Sequence, residues 1–244
     1  MSDRATRSRS FETVAAEYER HRPDYPEEAL RWAAGCLDLE AGARVLDVGA
    51  GTGKLTRGLV ALGFEVAAVE PGAPMLDQLR VAVPEAEAFE GPAESIPLPD
   101  ANVDAAFAGQ AFHWVDSARA LPELHRVIRP GGGLALLWNW WDERDPLQRE
   151  LGRLIGYAGH QPYREEELPG TPWFGELGRT VVETSQEGTP DGLVGYLSTA
   201  SAFLTAEPRE REETLRAVHG LAASYGESFP LPRLTYVFAF DRLS

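Results

Sequence analysis

Apolar positions in the first 140 residues fall into short continuous runs separated by amphipathic stretches, the pattern of buried parallel strands alternating with helices. Residues 44–48, 64–70, 86–90, 103–108 and 134–138 read as strands. Helical spacing covers 11–20, 27–37, 54–62 and 74–82, and a further helix capped by Asp116 or Ser117 runs to Ile128. Punctuation supports these limits: Pro26 precedes the second helix, Gly63 closes the third, and Pro130-Gly131-Gly132-Gly133 separates the last from its strand. Beyond Asp145 the pattern weakens. Residues 146–158, 193–203 and 209–224 read as helices, 161–178 as irregular, 180–184 as a strand and 234–240 as a strand rich in β formers.

With neither an internal repeat nor a long linker, 244 residues predict one α/β domain. Its parts are an N-terminal helical segment (1–40), a core (41–140) and a C-terminal half (141–244), whose helices a family resemblance makes a cap.

Composition narrows the function classes. A hydrophobic fraction of 43% and a charged fraction of 25% are ordinary for a globular protein. No apolar run approaches a membrane span and the first residues carry no apolar signal core, so a cytoplasmic location and no membrane partner are expected. The single cysteine, Cys36, excludes a disulfide within the chain and a cysteine-based metal cluster; no metal is expected. A net charge of −15 argues against nucleic acid, whose binding rests on clustered Lys and Arg, and favours a small-molecule substrate. The one basic cluster, Arg4, Arg7 and Arg9 among serines, reads as a solvated terminus. Oligomeric state is not legible.

The first strand ends in Asp47-Val48-Gly49-Ala50-Gly51-Thr52-Gly53, so the glycines occupy a strand-to-helix turn. Glycines there let the backbone approach a ligand closely. A P-loop needs Gly, four residues, then Gly-Lys-Ser/Thr, but Val48 and Leu55 stand at its first and last positions. The dinucleotide fingerprint needs glycine at the first, third and sixth positions, and counting from Gly49 reaches Lys54. Asp47 would oppose a pyrophosphate but suits a cationic group on a ligand. A plain glycine-rich turn, with Asp47 capping backbone N–H groups, is the structural alternative.

The pattern acid-x-Gly-x-Gly-x-Gly resembles motif I of the class I S-adenosylmethionine-dependent methyltransferases. The fragment around Phe11, Tyr18, Arg22, Tyr25 and Pro26 is similar to the N-terminal segment of a branch that includes trans-aconitate methyltransferase-like proteins, as is the run Phe112-His113-Trp114. The resemblance implies a Rossmann-like fold: a seven-stranded, mostly parallel sheet with an antiparallel last strand beside the fifth and helices on both faces. It also implies S-adenosylmethionine as methyl donor, with S-adenosylhomocysteine as product. Asp47, Gly49, Ala50, Gly51, Thr52 and Gly53 would meet the donor. Ala93, Glu94 and Ser95, on the loop after the third strand, would lie against its adenine, and Tyr18 and Arg22, on a segment folding over the cofactor, would touch the methionyl part or the substrate.

Other candidates follow from position. Glu70 ends the second strand, where nucleotide-binding α/β folds set a carboxylate on ribose hydroxyls; Pro71 follows it, and Met75 on the next helix is a core residue or borders the adenine. Gln110, Ala111, Phe112, His113 and Trp114 follow the fourth strand at the ligand crevice, with Gln110 and Ala111 assigned to the cofactor. Phe112, His113, Trp114 and the cluster Trp138, Trp140 and Trp141, with Tyr18 and Arg22, are assigned to the substrate. His113 is the catalytic candidate, needed as a base only where the nucleophile must lose a proton; a packed, hydrogen-bonded histidine is the alternative. The expected reaction is in-line methyl transfer to a small organic acceptor, with a carboxylate leading. A non-catalytic cofactor-binding sensor and a nicotinamide-dependent oxidoreductase remain as rival readings, because these motifs secure binding rather than turnover.

Overall fold

The computed structural model describes residues 14–160 and 172–244. Five strands lie where apolar runs meet turn residues: β1 (Arg44–Val48), β2 (Glu65–Glu70), β3 (Glu87–Glu90), β4 (Val103–Gly109) and β5 (Ile128–Trp141). Two long strands follow, β6 (Phe174–Gly188) and β7 (Phe229–Arg242). They form one sheet in the order β3-β2-β1-β4-β5-β7-β6, parallel through β3, β2, β1, β4 and β5, with the last strand, β7, antiparallel. The Rossmann-like expectation is thereby met, including the insertion of β7 beside β5.

Helices precede and separate the strands: α1 (Ala15–His21), α2 (Glu27–Cys36), α3 (Lys54–Ala61), α4 (Ala73–Ala82), α5 (Ser117–Val127) and α6 (Pro146–Leu154). Between β6 and β7 come α7 (Pro190–Ser198), α8 (Ser201–Leu204) and α9 (Pro208–Ala223). None of the described helices is long and apolar enough to cross a membrane.

The described residues form two compact units. One, the sheet unit, holds residues 23–139, 172–182 and 235–244; the other, the helical unit, holds 14–22, 140–160 and 183–234. In the sheet unit, side-chain alternation sends Leu46, Val48, Ala106, Leu134 and Leu136 to one face, where Leu124 and Val127 of α5 pack on them. Val45, Phe107, Ala135 and Leu137 occupy the opposite face under Leu30 and Ala33 of α2 and Leu55 and Leu59 of α3. The helical unit has its own core, built from Leu147 and Leu151 of α6, Leu193 and Leu197 of α7, Val218 of α9 and Leu231.

Several boundaries depart from the sequence pattern. β5 begins at Ile128, not 134, because the Pro-Gly-Gly-Gly segment stays in the strand as an irregularity: β4 residues Val103 and Ala105 pair with Ile128 and Gly133. β6 is three times the expected segment, but most of its side chains are exposed, so a polar edge strand left no apolar run to read. Residues 193–203 break into α7 and α8, and α6 stops at Leu154. The expectations for 11–13 and 161–171 lie outside the described residues.

Gly49, Gly51 and Gly53 all take left-handed backbone, with φ of 66°, 57° and 94°. A Cβ at Gly49 would lie 2.6 Å from the Cβ of Ala111, whereas one at Gly51 would meet nothing within 4 Å. Gly49 is therefore fixed by shape as well as conformation, and Gly51 by conformation with open space beside it. Gly49→Ala should cost about 2 kcal/mol or more of unfolding free energy and Gly51→Ala about 1 kcal/mol, read by urea denaturation; equal losses would contradict this difference.

Candidate active site

The glycine turn is held by two carboxylates of unlike environment. Glu70, at the end of β2, accepts a hydrogen bond from the Gly51 N–H at 2.9 Å on Oε2 and from the Gly72 N–H at 2.8 Å on Oε1. It thus ties the turn after β1 to the turn after β2.

Asp47 is fully buried. Its Oδ2 accepts the Thr56 hydroxyl of α3 at 2.6 Å, and Oδ1 has no hydrogen-bond partner among the described residues. Burial drives the carboxyl up to about 7; hydrogen bonds from Thr56 oppose the rise and the charge of Glu70 adds to it.

The segment after α1 closes over this region from within the sheet unit. The Asp24 carboxylate lies 3.4 Å from Lys54 Nζ and 3.1 Å from Arg57 Nη2, both on α3. Its carbonyl accepts from Asn139 Nδ2 at 3.2 Å. Tyr25 reaches the end of β4: a Cβ at Gly109 would stand 2.5 Å from its hydroxyl oxygen. Asn139, buried in β5, also accepts the Thr235 hydroxyl at 2.7 Å, and its carbonyl accepts from Gln110 Nε2 at 2.6 Å. Gln110 is held at φ 54°, a conformation costly for a residue with a side chain and found where surroundings enforce it. The motifs singled out Gln110 but missed Tyr25, Asn139 and Thr235 as its frame.

The loop after β3 is pinned rather than free. Glu94 accepts the Asp116 N–H at 2.6 Å, Ile96 N–H donates to Glu123, and Arg126 binds the carbonyls of Ile96 and Leu98. Ala93 is buried in the core beneath it, whereas Ser95 and Pro71 are exposed and Ala50, Thr52 and Ala111 are buried in or against the glycine turn. Met75 is 4% exposed and belongs to the interior side of α4, so the core alternative holds for it.

Three aromatic assignments change. Phe112 is 2% exposed and Trp138 1% exposed, both inside the sheet-unit core, with Trp138 edge-on to Phe238. Neither offers a face to a substrate; nearness to the crevice in sequence does not fix which way a ring points. His113 takes the packed, hydrogen-bonded arrangement, its Nδ1 accepting the Trp138 indole N–H at 3.3 Å. The neutral ring then carries its proton on Nε2, leaving a donor rather than a lone pair. Trp114 packs on His113 with centroids 4.7 Å apart and is half-buried.

In the helical unit, Trp140 and Trp141 line a small cavity with Gln148 and Tyr157. Arg22 lies over the rings of Tyr18 and Tyr196, at 5.2 Å and 4.5 Å from their centroids.

A parallel sheet with its order reversing at β1 and β4, a left-handed glycine turn there and an acid ending the adjacent strand define an α/β protein built to hold a nucleoside-bearing ligand. A methyltransferase domain model matches residues 46–136. An uncharacterized methyltransferase of Mycobacterium tuberculosis is 46% identical over 218 residues, covering 89% of this chain and 87% of that one. A malonyl-[acyl-carrier protein] O-methyltransferase of Dechloromonas aromatica is 30% identical over 249 residues, covering 87% and 90%. A solved structure from Anaeromyxobacter dehalogenans, provisionally assigned as a type II methyltransferase, superposes with a TM-score of 0.70 at 29% identity, covering 90% and 97%. The chain belongs to the S-adenosylmethionine-dependent methyltransferase family.

The residues present fit the donor: open space at Gly51, a buried acceptor atom on Asp47 with no donor among the described residues, and a carboxylate, Glu70, at the end of the adjacent strand. The buried acid also leaves a thermodynamic signature. A carboxyl whose folded pKa is raised from 3.8 to about 7 binds more protons when native than when unfolded, so stability falls as pH rises through that window. At about 1.4 kcal/mol per pK unit, the ceiling is about 4 kcal/mol. Asp47→Asn should therefore gain stability over the parent chain as pH rises from 5 to 7.5, a gain that a pH-independent difference in denaturation midpoints would refute.

Proposed function

We propose that the chain, acting as one methyltransferase domain over 1–244, transfers the methyl group of S-adenosylmethionine to a small organic acid, with a carboxylate oxygen as acceptor. The observation that carries the reading is Glu70, a carboxylate at the end of β2 clamped between the glycine turn and the β2 turn, the strand-end position from which nucleotide-binding α/β folds hold ribose hydroxyls. The malonyl O-methyltransferase relative, which acts on a carboxyl group, supports the acceptor class.

When bound, the donor supplies an already activated sulfonium methyl, open to direct in-line displacement. The protein's task is alignment, worth about 7 to 11 kcal/mol of barrier in the best-oriented reactions. Gly49, Gly51 and Gly53, with Asp47, would take the methionyl portion, and Ala93, Glu94 and Ser95 the adenine. Gln110, fixed by Asn139, would present its backbone to the reacting end. Within the sheet unit Trp114 would furnish an apolar wall; within the helical unit Tyr18 and Arg22 would hold acidic groups and Trp140 and Trp141 would line an apolar pocket. A carboxylate nucleophile needs no base, in accord with a His113 whose Nδ1 lone pair is occupied.

Glu70→Gln puts a donor amide where two backbone N–H groups point. It should weaken S-adenosylhomocysteine binding by about tenfold or more in calorimetry; unchanged affinity would contradict the ribose assignment. With labelled donor and a panel of carboxylic acids, phenols and amines, label should appear in an acid as a base-labile ester. Binding of donor with no transfer to any acceptor would favour a non-catalytic role. The kcat/KM profile should lack an ascending limb near the histidine range of about pH 6.5, and such a limb abolished by His113→Ala would restore His113 as base.

A further inference from the structure

The helical unit contains two arginines placed against one tyrosine. Arg22, at the end of α1, sets its guanidinium 4.5 Å from the Tyr196 ring centroid and donates from Nε to the buried Thr199 hydroxyl at 3.0 Å. Arg233, on β7, sets its guanidinium 4.9 Å from the same ring. Arg233 is only 7% exposed, and its Nε has no hydrogen-bond partner among the described residues.

No described carboxylate lies within ion-pair distance of either guanidinium. Arginine does not lose its proton in proteins, so two buried or half-buried like charges stand together with only aromatic faces and the Thr199 and Tyr196 hydroxyls to offset them. Removing a charge from water without an opposite charge costs several kcal/mol. An arrangement that retains this cost in a chain of net charge −15, rich in acids available to pair, is explained by an anion supplied from outside. Tyr196 registers the same field. Burial pushes its hydroxyl up, but Arg22 and Arg233 pull it down further, and it ends below its ordinary value.

We propose that Arg22, Arg233, Tyr196 and Thr199 form a binding site for the carboxylate of a small organic acid. Guanidinium forks match the two oxygens of a carboxylate, and the half-exposed Arg22 gives access while the buried Arg233 gives depth. A carboxylate held this way has its lone pairs engaged and is a poor nucleophile. The ligand is accordingly an acid with two carboxyl groups, of which this site holds one. This deepens the methyl-transfer reading and rests on it.

The test is calorimetric titration of the full chain with glutarate, with inorganic phosphate, and separately with S-adenosylhomocysteine. Glutarate should bind, and Arg233→Met and Arg22→Gln should each weaken it by about tenfold or more while far-ultraviolet circular dichroism is unchanged. Should Arg233→Met fail to fold, Arg22→Gln at its more exposed position carries the comparison. Absence of glutarate binding, equal affinity in the variants, or preference for phosphate overturns the proposal. Glutarate binding without S-adenosylhomocysteine binding supports the acid site and overturns the methyl-transfer reading, whereas the reverse overturns the acid site alone.

Discussion

The cofactor end of the sheet depends on one carboxylate that binds two backbone N–H groups. Glu70 reaches from β2 to Gly51 and to Gly72, so turns after two neighbouring strands share one anchor. Both bonds are charge-assisted and shielded by burial, the setting in which such bonds are strongest. The left-handed glycines are useful only because this anchor holds them; a loose glycine turn would have to be ordered at each binding event. Parallel pairing of β1 with β2 sets the anchor, since Val48 opposite Val69 leaves the two turns side by side.

Beside it, Asp47 carries the opposite logic. Glu70 is satisfied by donors, while Asp47 is enclosed with one oxygen unpartnered and a pKa driven up to about 7. One acid stabilises the turn and the other costs stability near neutral pH. Buried acids with pKa values shifted this far cluster at functional sites, and Asp47 stands two residues before the first glycine of the turn. The arginine pair against Tyr196 carries the same kind of cost in the helical unit, with the sign of charge reversed.

What sequence patterning revealed follows from burial. Strands β1, β2 and β4 are covered on both faces, so they read as apolar runs, and the turns at their ends could be located within a residue or two. β6 lies at the sheet edge with a polar, exposed sequence, and β5 carries a Pro-Gly-Gly-Gly irregularity that reads as a terminus. At the site, the strand-end positions of Asp47, the glycines, Glu70 and Gln110 were legible because they depend on place in the chain. The direction in which the Phe112, Trp138 and His113 rings point was not legible, because neighbours in space and not in sequence set it. Arg233 did leave a signal. Phe229, Leu231, Arg233, Thr235 and Val237 alternate on the buried side of β7, which puts a cation on an inward position.

The central claim is that the glycine turn and Glu70 hold the nucleoside of the methyl donor. A crystal structure of the chain with S-adenosylhomocysteine tests it most directly. The account predicts the ribose hydroxyls on Glu70, the methionyl end along Gly49 to Gly53 and the adenine against the loop bearing Ala93 and Glu94. A ligand seated elsewhere, with Glu70 making no contact to it, would contradict the account.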